Sequence, residues 1–323
     1  MAKRQRRLSV TQQIMQEVDA KLKSKNYPNQ KTYRQFLRHS YKYVKFCREN
    51  YDCRDYESCC RLEIAQAYCD FLKAQGYTAS TIHTYLAGIS SSMKGIKLSD
   101  INKPVRHTAD YIRGRKEPFI PLKSTDLSDE RWREIVNFNL KVGLRKNELK
   151  KLKGSNFKRD ESGHWTVEVL RGKGGKYTLN RMNNDMDVEF IRKYFEGKEP
   201  DELIFPPEMF NNHLNFHKLR AESAKEYYRI QVKKIKENPE YAKQLEEEII
   251  ARWNKYNLNP KTGKPKHFDR KLIDGYWVLR GKNREKSRIL GEGRYLKLAV
   301  AATSIFKLSH WRNDVTIASY LNI

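Results

Sequence analysis

Five side chains of the sequence have the chemical types that cleavage of a phosphodiester by a protein side chain requires. In chain order they are Arg145, His217, Arg220, His310 and Tyr320. A phenol oxygen can attack phosphorus, guanidinium groups can hold the charge of the phosphate, and the departing oxygen needs a proton donor. One tyrosine among the 19 of this chain carries no such meaning. The ordered set is what points to this chemistry.

The two arginines lie in motifs with helical spacing. Arg145 and Glu148 are at positions i and i+3, which predicts one helical face where the carboxylate braces the guanidinium. His217 and Arg220 have the same spacing, so an imidazole and a guanidinium on one face can both address a single phosphate. Each motif alone is common on basic helices. His267-Phe-Asp-Arg270 fits the second pattern equally well and is the alternative pair.

The strand and turn pattern after Arg145 predicts a β-hairpin. Residues 165–171 alternate between apolar and polar side chains, a glycine-rich turn follows, and residues 177–179 return. Lys173 lies at the tip, and Lys176 follows three residues later. Lysines in such a turn ordinarily face solvent, so the hairpin alone assigns them no role.

Taken in order, these segments resemble the conserved boxes of the tyrosine recombinase (phage integrase) family. Gly143-Leu-Arg-Lys-Asn-Glu-Leu is similar to the first arginine box, and Phe216-His-Lys-Leu-Arg is similar to the second. Leu308-Ser-His310 resembles the family's Leu-Gly-His, with Tyr320 about three helical turns later. The resemblance covers most of the chain and is strongest over residues 142–220 and 308–321.

The resemblance implies a role for each of these residues. Tyr320 attacks the scissile phosphate to form a 3′-phosphotyrosyl bond, and Arg145 and Arg220 hold the nonbridging oxygens. A hairpin lysine protonates the released 5′ oxygen, for which Lys173 is the first choice and Lys176 the fallback. His217 and His310 are catalytic residues that support the phosphate and assist proton transfer, and Glu148 is a supporting residue. Some relatives place a tryptophan where His310 stands, so Trp311 remains the alternative at that position.

The composition independently predicts a polyanionic partner. A net charge of +26 and a pI near 9.8 favour binding to nucleic acid, because neutralised phosphates release counterions. No apolar run approaches the roughly 20 residues of a membrane-spanning helix, and the basic start lacks the apolar stretch of a signal peptide. We therefore expect a cytoplasmic protein that is associated with the nucleoid through DNA and has no membrane partner.

The sequence shows no signature of a cofactor or metal site. The five cysteines have no C-x-x-C pair or matching histidine spacing, which favours reduced thiols over zinc or disulfide roles. No phosphate-binding loop of the G-x-x-x-x-G-K-[ST] type is present. The phosphotyrosyl link of the family conserves the energy of the bond, so the resemblance requires neither ATP nor a metal.

The predicted fold class is multidomain, combining an α domain with a mixed α/β domain. Residues 1–115 are expected to form a helical bundle, similar to the SAM-like core-binding domain of the family, with a basic N-terminal arm. Its predicted helices cover residues 31–49 and 62–74, and Ser80 is expected to cap a third. A linker with two prolines is predicted at 116–127. The mainly helical catalytic domain, with a small β-sheet, is expected at 128–323, and the family closes the two domains as a clamp around DNA.

The interval between Arg220 and His310 is longer than is typical of the family, which indicates an insertion at about 229–292. Asn238-Pro239 predicts the start of a helix to about Tyr256, and residues 276–279 are expected to pair with residues 287–290. Its basic loops could contact DNA, or its helices could hold a neighbouring subunit.

The resemblance implies a site-specific recombinase of the integrase or transposase type, as in mobile genetic elements. Its expected partners are double-stranded DNA, further copies of the chain as a dimer or tetramer, and accessory DNA-binding proteins. Two alternatives remain open on the same fold. A type IB topoisomerase would rejoin the same strand as a monomer, and a noncatalytic protein would only bind DNA.

Overall fold

The computed structural model describes residues 8–27, 30–106, 130–169, 178–211, 214–259, 262–281, 284 and 293–321. The chain divides into two compact units, Met1–Asp110 and Tyr111–Ile323. Helices predominate over two small antiparallel sheets, which confirms the mainly helical class. The predicted linker at 116–127 lies outside the described residues. Within the described ranges, no helix has the length and apolar character that crossing a membrane requires.

Within its described residues, the first unit consists of helices joined by turns, without strands. Its helices are α1 (Val10–Lys23), α2 (Gln30–Tyr51), α3 (Tyr56–Cys59), α4 (Leu62–Ala74) and α5 (Ala79–Ser92). Both helices predicted here, over residues 31–49 and 62–74, are present. Their apolar faces meet in one core that includes Tyr43, Tyr68 and Leu86. α1 was not predicted, although Ile14, Val18 and Leu22, which it buries in the same core, have helical spacing.

The predicted cap of α5 is wrong by two residues. Thr78, not Ser80, precedes the helix in an extended conformation, and its hydroxyl accepts a hydrogen bond from the Thr81 backbone at 3.3 Å. Ser80 lies inside the first turn, where its carbonyl accepts from the Thr84 hydroxyl. Both residues are good caps, and the geometry of the turn after Gly76 selects the earlier one.

All five cysteines are free thiols of the first unit. Cys47 of α2, Cys53 of the following turn and Cys59 of α3 bring their sulfur atoms within 4.8 Å of one another. All three are buried, and the Cys53 thiol donates to the Ser58 carbonyl at 3.4 Å. Burial raises the pKa of the Cys53 thiol, so this side chain is a protonated member of the core.

The second unit begins, among its described residues, with α6 (Glu130–Val142) and the short α7 (Lys146–Leu149). A three-stranded antiparallel sheet follows, formed by β1 (Phe157–Arg159), β2 (Trp165–Val169) and β3 (Thr178–Arg181), and then α8 (Asp185–Arg192). Val169 pairs with Thr178 and Val167 with Asn180, so β2 and β3 form the predicted hairpin. Residues 170–177, including Lys173 and Lys176, lie outside the described residues.

The predicted insertion begins inside a long helix. α9 (Phe216–Glu237) is followed directly by α10 (Pro239–Tyr256), and the Asn238 side chain accepts from the Tyr241 backbone at 3.0 Å. This confirms the Asn-Pro start signal and the end of the helix at Tyr256.

The strand partner predicted within the insertion, residues 287–290, lies outside the described residues. β4 (Tyr276–Val278) pairs with β5 (Arg294–Leu296), a strand that the sequence did not predict. Tyr295 of β5 is 3% exposed and packs with Tyr228 of α9 at 5.9 Å between ring centroids. Burial of this aromatic side chain favours a strand at this position.

Two short helices near the C-terminus each continue into a π-helical turn, which we call a wide turn. α11 (Lys297–Ala302) continues into a π-helical turn (Thr303–Lys307), and α12 (Asn313–Thr316) continues into a second (Ile317–Leu321). Short π-helical segments occur frequently at functional sites. Here they flank His310 and contain Tyr320.

Candidate active site

Arg220 lies at the centre of the candidate site. It projects from the second turn of α9, whose start at Phe216 is capped by the Asn215 side chain, and it is fully buried. Its Nη2 donates to the Leu308 carbonyl at 2.8 Å, and its Nη1 donates to the Gly143 carbonyl. The guanidinium therefore joins the segments that carry Arg145 and His310. Of its five N–H groups, the one on Nε has no hydrogen-bond partner within the described ranges.

Arg145 follows a turn that is fixed by buried amide groups. Asn139 accepts from the Leu144 backbone at 2.7 Å and donates to its carbonyl at 3.1 Å. Gly143 has a φ of +77°, and a side chain there would also press on the Ser223 hydroxyl. The backbone before Arg145 is thus held on both sides.

Arg145 and Glu148 meet as predicted, but through a different geometry. Arg145 is extended and precedes α7 as its N-cap residue, so the two do not share a helical face. The Glu148 carboxylate accepts from the Arg145 backbone at 2.8 Å and from its Nη1 at 2.6 Å. Its Oε2 also lies 3.8 Å from the Nη1 of Arg220. A single buried carboxylate therefore braces both guanidinium groups.

Tyr320 is buried beside these groups, at 5% exposure. Its ring centroid lies 5.1 Å from that of His217, 6.2 Å from that of His310 and 5.8 Å from the Arg220 guanidinium carbon. Burial lowers the pKa of the Arg220 guanidinium and the neighbouring Arg145 charge lowers it further, whereas Tyr320 raises it. The phenol is thus surrounded by the cationic and imidazole side chains that the sequence singled out.

His310 is held in a defined orientation by Ser304. The His310 backbone donates to the Ser304 carbonyl at 2.9 Å, and the Ser304 hydroxyl lies 2.7 Å from the His310 carbonyl and 3.0 Å from its Nδ1. The backbone N–H of Arg312, which can only donate, lies 3.3 Å from the same Nδ1. Nδ1 is therefore an acceptor, and the neutral ring carries its proton on Nε2.

Burial, with the nearby Arg220 and Arg145 charges, lowers the pKa of His310 to about 3. The imidazole is accordingly neutral at physiological pH. Its Nε2 is buried and has no hydrogen-bond partner among the side chains and backbone that the structure describes. A buried N–H donor without a partner costs free energy unless an acceptor arrives, which suits an anionic ligand.

Ser309 occupies the position of the glycine in the family's Leu-Gly-His and adopts the conformation that favours glycine, with φ of +54°. Its hydroxyl accepts from the Leu179 backbone at 2.8 Å and donates to the Leu179 carbonyl. These bonds tie the His310 segment to β3.

The two alternatives offered by the sequence, Trp311 and the pair His267 and Arg270, make other contacts. Trp311 packs edge to face on Trp253 of α10, with ring centroids 5.1 Å apart, so its indole belongs to the core. His267 and Arg270 are exposed, and Arg270 pairs with Glu246 at 2.5 Å. His217 and Arg220, not the second pair, lie beside Tyr320.

Several residues that hold the site carry no sequence signal. Ser304, Asn139 and Asn180 are ordinary polar residues in the sequence, and only their burial shows their role. The Asn180 amide donates to the Val142 carbonyl at 2.8 Å, which connects β3 to the turn before Arg145.

Lys307 is a further buried residue near the site that was not predicted from the sequence. It is fully buried, and its Nζ donates to the carbonyls of Lys141 at 2.5 Å and Arg181 at 2.9 Å. Burial lowers the pKa of this amine to about 7.

Within the described ranges, one group of carboxylates and histidine in the second unit has the proximity of metal ligands: Asp160, His164 and Glu248. The Arg181 guanidinium lies among them, 2.7 Å from Asp160 and paired with Glu248. That cation fills the place of a metal. The candidate site itself offers cations, imidazoles and a phenol, a set suited to an anion.

No protein-family model and no curated protein matches the chain. Solved structures do align with it. XerA recombinase is 14% identical over 67% of this chain and 83% of that chain, with a TM-score of 0.23. XerH site-specific recombinase, in a post-cleavage complex with palindromic difH substrate, is 13% identical over 69% and 85%, with a TM-score of 0.36. The Tn1549 transposon integrase, in complex with circular intermediate DNA, is 14% identical over 58% and 66%, with a TM-score of 0.32.

These solved structures belong to the tyrosine recombinases and integrases, the group that the motifs resemble. At such identities and TM-scores they add no argument about activity.

Proposed function

We propose that the protein is a site-specific DNA recombinase that cleaves and rejoins DNA through a covalent bond to Tyr320. One observation carries this proposal: two arginines, two histidines and a buried tyrosine from separate segments meet in one place. Two guanidinium groups, Arg145 and Arg220, share the single Glu148 carboxylate, so the site carries an excess of positive charge. A phosphate supplies negative charge that can balance this excess through charge-assisted hydrogen bonds.

In the proposed reaction, the Tyr320 oxygen attacks phosphorus and the bond from phosphorus to the 5′ oxygen breaks. Arg145 and Arg220 hold the nonbridging oxygens, where negative charge builds up in the transition state. His310 donates its Nε2 proton in a hydrogen bond to the phosphate, and the His217 imidazole, whose ring centroid lies 5.1 Å from that of the phenol, takes the Tyr320 proton as the oxygen attacks. Lys173 delivers a proton to the departing 5′ oxygen.

Rejoining reverses these steps with a different 5′ hydroxyl. That hydroxyl attacks the phosphotyrosyl phosphorus, the Tyr320 oxygen leaves, and the phosphodiester is restored without net loss of a bond. Exchange between two duplexes requires several copies of the chain on DNA, so we propose a dimer or tetramer there. The net charge of +26 supports binding of the duplex itself.

A nicked suicide substrate tests the proposal, because loss of the short fragment beyond the nick traps the covalent intermediate. The wild-type chain should form a protein–DNA adduct that resists denaturation, and Tyr320→Phe should form none while it binds DNA equally well. Tyr227→Phe is the matched control, since Tyr227 is another buried tyrosine of the same unit and lies in a different core cluster. An adduct that persists in Tyr320→Phe rejects the assignment.

Joining assays separate recombination from relaxation by a topoisomerase. A recombinase should assemble several subunits on two sites and exchange strands between labelled duplexes. A chain that only relaxes supercoiled DNA as a monomer contradicts the proposal.

A further inference from the structure

α10, the central helix of the predicted insertion, packs inside the second unit. Its Leu245 and Ile249 are buried in the same cluster as Ala302, Ile305 and Phe306. Those three residues belong to α11 and the wide turn that leads to His310. The helix therefore contacts the segment that positions His310.

Trp253, near the end of α10, contacts the residue next to His310. Its ring meets Trp311 edge to face, with centroids 5.1 Å apart and an interplanar angle of 88°. Trp253 is itself fixed, because its Nε1 donates to the Lys266 carbonyl at 2.7 Å and its ring packs on Phe268 at 5.6 Å. A fixed aromatic surface thus limits where Trp311, and with it His310, can move.

A second contact joins α10 to the same segment through β3. Glu248 pairs with the buried Arg181 guanidinium, with 2.9 Å between Oε2 and Nη1. That guanidinium lies 3.7 Å from the ring centroid of Phe306 in the wide turn before His310. The Arg181 carbonyl accepts from Lys307 of the same turn at 2.9 Å. Glu248 therefore acts on the same segment as Trp253, through Arg181.

We infer that Trp253 and Glu248 are positioning residues, through which the predicted insertion holds His310 in its place beside Tyr320. The inference rests on the proposed function. It gives the insertion an internal role, different from contact with DNA or with a neighbouring subunit. Neither residue touches Tyr320, Arg145 or Arg220 by any described contact, so each acts through the His310 segment.

The test measures the single-turnover cleavage rate of a nicked substrate at saturating DNA, together with DNA affinity. Trp253→Ala should slow cleavage by about 10-fold, the effect of a small misplacement of a reacting group, and leave affinity unchanged. Trp253→Phe should restore most of the rate because it keeps an aromatic ring. Trp253→Leu, which keeps the apolar volume, serves if the alanine variant does not fold, and it should also slow cleavage.

Tyr241→Ala is the matched control. Tyr241 lies on α10, packs against the same cluster and bonds Gln231 of α9 at 2.5 Å, and no described hydrogen bond, ion pair or ring contact joins it to residues 303–312. Its loss should therefore perturb the helix more than the position of His310. In a double-mutant cycle, Trp253→Ala should change the rate less than about 2-fold once His310 is alanine. A full 10-fold effect in that background, or an equal effect of Tyr241→Ala, overturns the inference.

Nuclear magnetic resonance of the His310 ring separates this inference from the proposed function. Trp253→Ala should expose the ring, so it should titrate at higher pH than in wild type or Tyr241→Ala. If wild type forms no adduct but His310 responds in this way, the proposed function fails and the positioning role stands. A His310 titration that is unchanged in both the alanine and leucine variants of Trp253 rejects the positioning role.

Discussion

The Nη2 of Arg220 donates a hydrogen bond of 2.8 Å to the carbonyl of Leu308, two residues before His310. The other terminal nitrogen binds the Gly143 carbonyl, two residues before Arg145. One side chain thus sets the distance between two sequence segments that are far apart in the chain. The role of Arg220 in the fold is as specific as its proposed role toward phosphate.

Arg220→Lys should therefore lose both stability and activity. A lysine amine cannot span two carbonyls as the planar guanidinium does, and it leaves acceptors and the Glu148 carboxylate poorly satisfied in a buried place. We expect the free energy of unfolding to fall by about 3 kcal/mol and adduct formation to disappear. Urea denaturation and the suicide substrate measure the two effects. Arg192→Lys, a change on the surface of α8, is the control, and equal losses in both variants would contradict the argument.

Lys173 as the general acid predicts a selective rescue. Sulfur in place of the 5′ bridging oxygen makes a leaving group that needs no proton. Such a substrate should restore cleavage by Lys173→Ala to within about 10-fold of wild type, while Arg145→Ala stays slow because its defect is in charge stabilisation. Cleavage of oxygen and sulfur substrates is compared in single turnover. Rescue of Lys176→Ala in place of Lys173→Ala would transfer the role to Lys176.

Ser309 predicts an unusual order of stability among substitutions. Alanine removes the bonds to Leu179 and keeps the unfavourable positive φ, whereas glycine removes the same bonds but adopts that φ without strain. Ser309→Ala should thus be less stable than Ser309→Gly by about 1 kcal/mol, and both should be less stable than wild type. Thermal denaturation of the three proteins decides the order. An alanine variant as stable as the glycine variant would show that the backbone there is not strained.

Lys307 predicts a pH dependence of stability. Its pKa is about 7 in the folded chain and about 10.4 when unfolded, so between these values the unfolded chain holds a proton that the folded chain has lost. The free energy of unfolding should therefore rise with pH across this window. Below pH 7 this group should not make the free energy of unfolding depend on pH. Lys307→Met should remove that part of the slope. Urea midpoints at pH 7 and pH 9 test this, and identical slopes in both proteins would refute it.

The sequence predicted the elements whose signals are local. The amphipathic pattern of α4, the Asn238-Pro239 start of α10 and the β2–β3 hairpin each depend on neighbouring residues, and each is present. The pairing of β4 with β5 was missed because it depends on the burial of Tyr295 against α9, a contact between distant residues.

The candidate site shows the same division. Spaced motifs identified Arg145, His217, Arg220, His310 and Tyr320, and the structure brings these side chains together. The residues that hold these side chains in place, Ser304, Asn139 and Asn180, were not predictable. Their hydrogen bonds go to backbone groups, which every sequence provides, so no motif marks them. The N-cap geometry of Arg145 was mistaken for a helical face, since both place Glu148 three residues away.

The cysteines of the first unit have a practical consequence for measuring motion in this protein. No cysteine follows Cys69 in the sequence, and four of the five are buried, with pKa values of the Cys53 and Cys69 thiols raised by that burial. Maleimide dyes react with exposed thiolates, so the native thiols should label slowly. Met186 of α8 is 78% exposed, and cysteine in its place gives one fast-reacting position on the second unit. Fluorescence from a dye at that position can follow this unit on DNA without first removing the natural thiols.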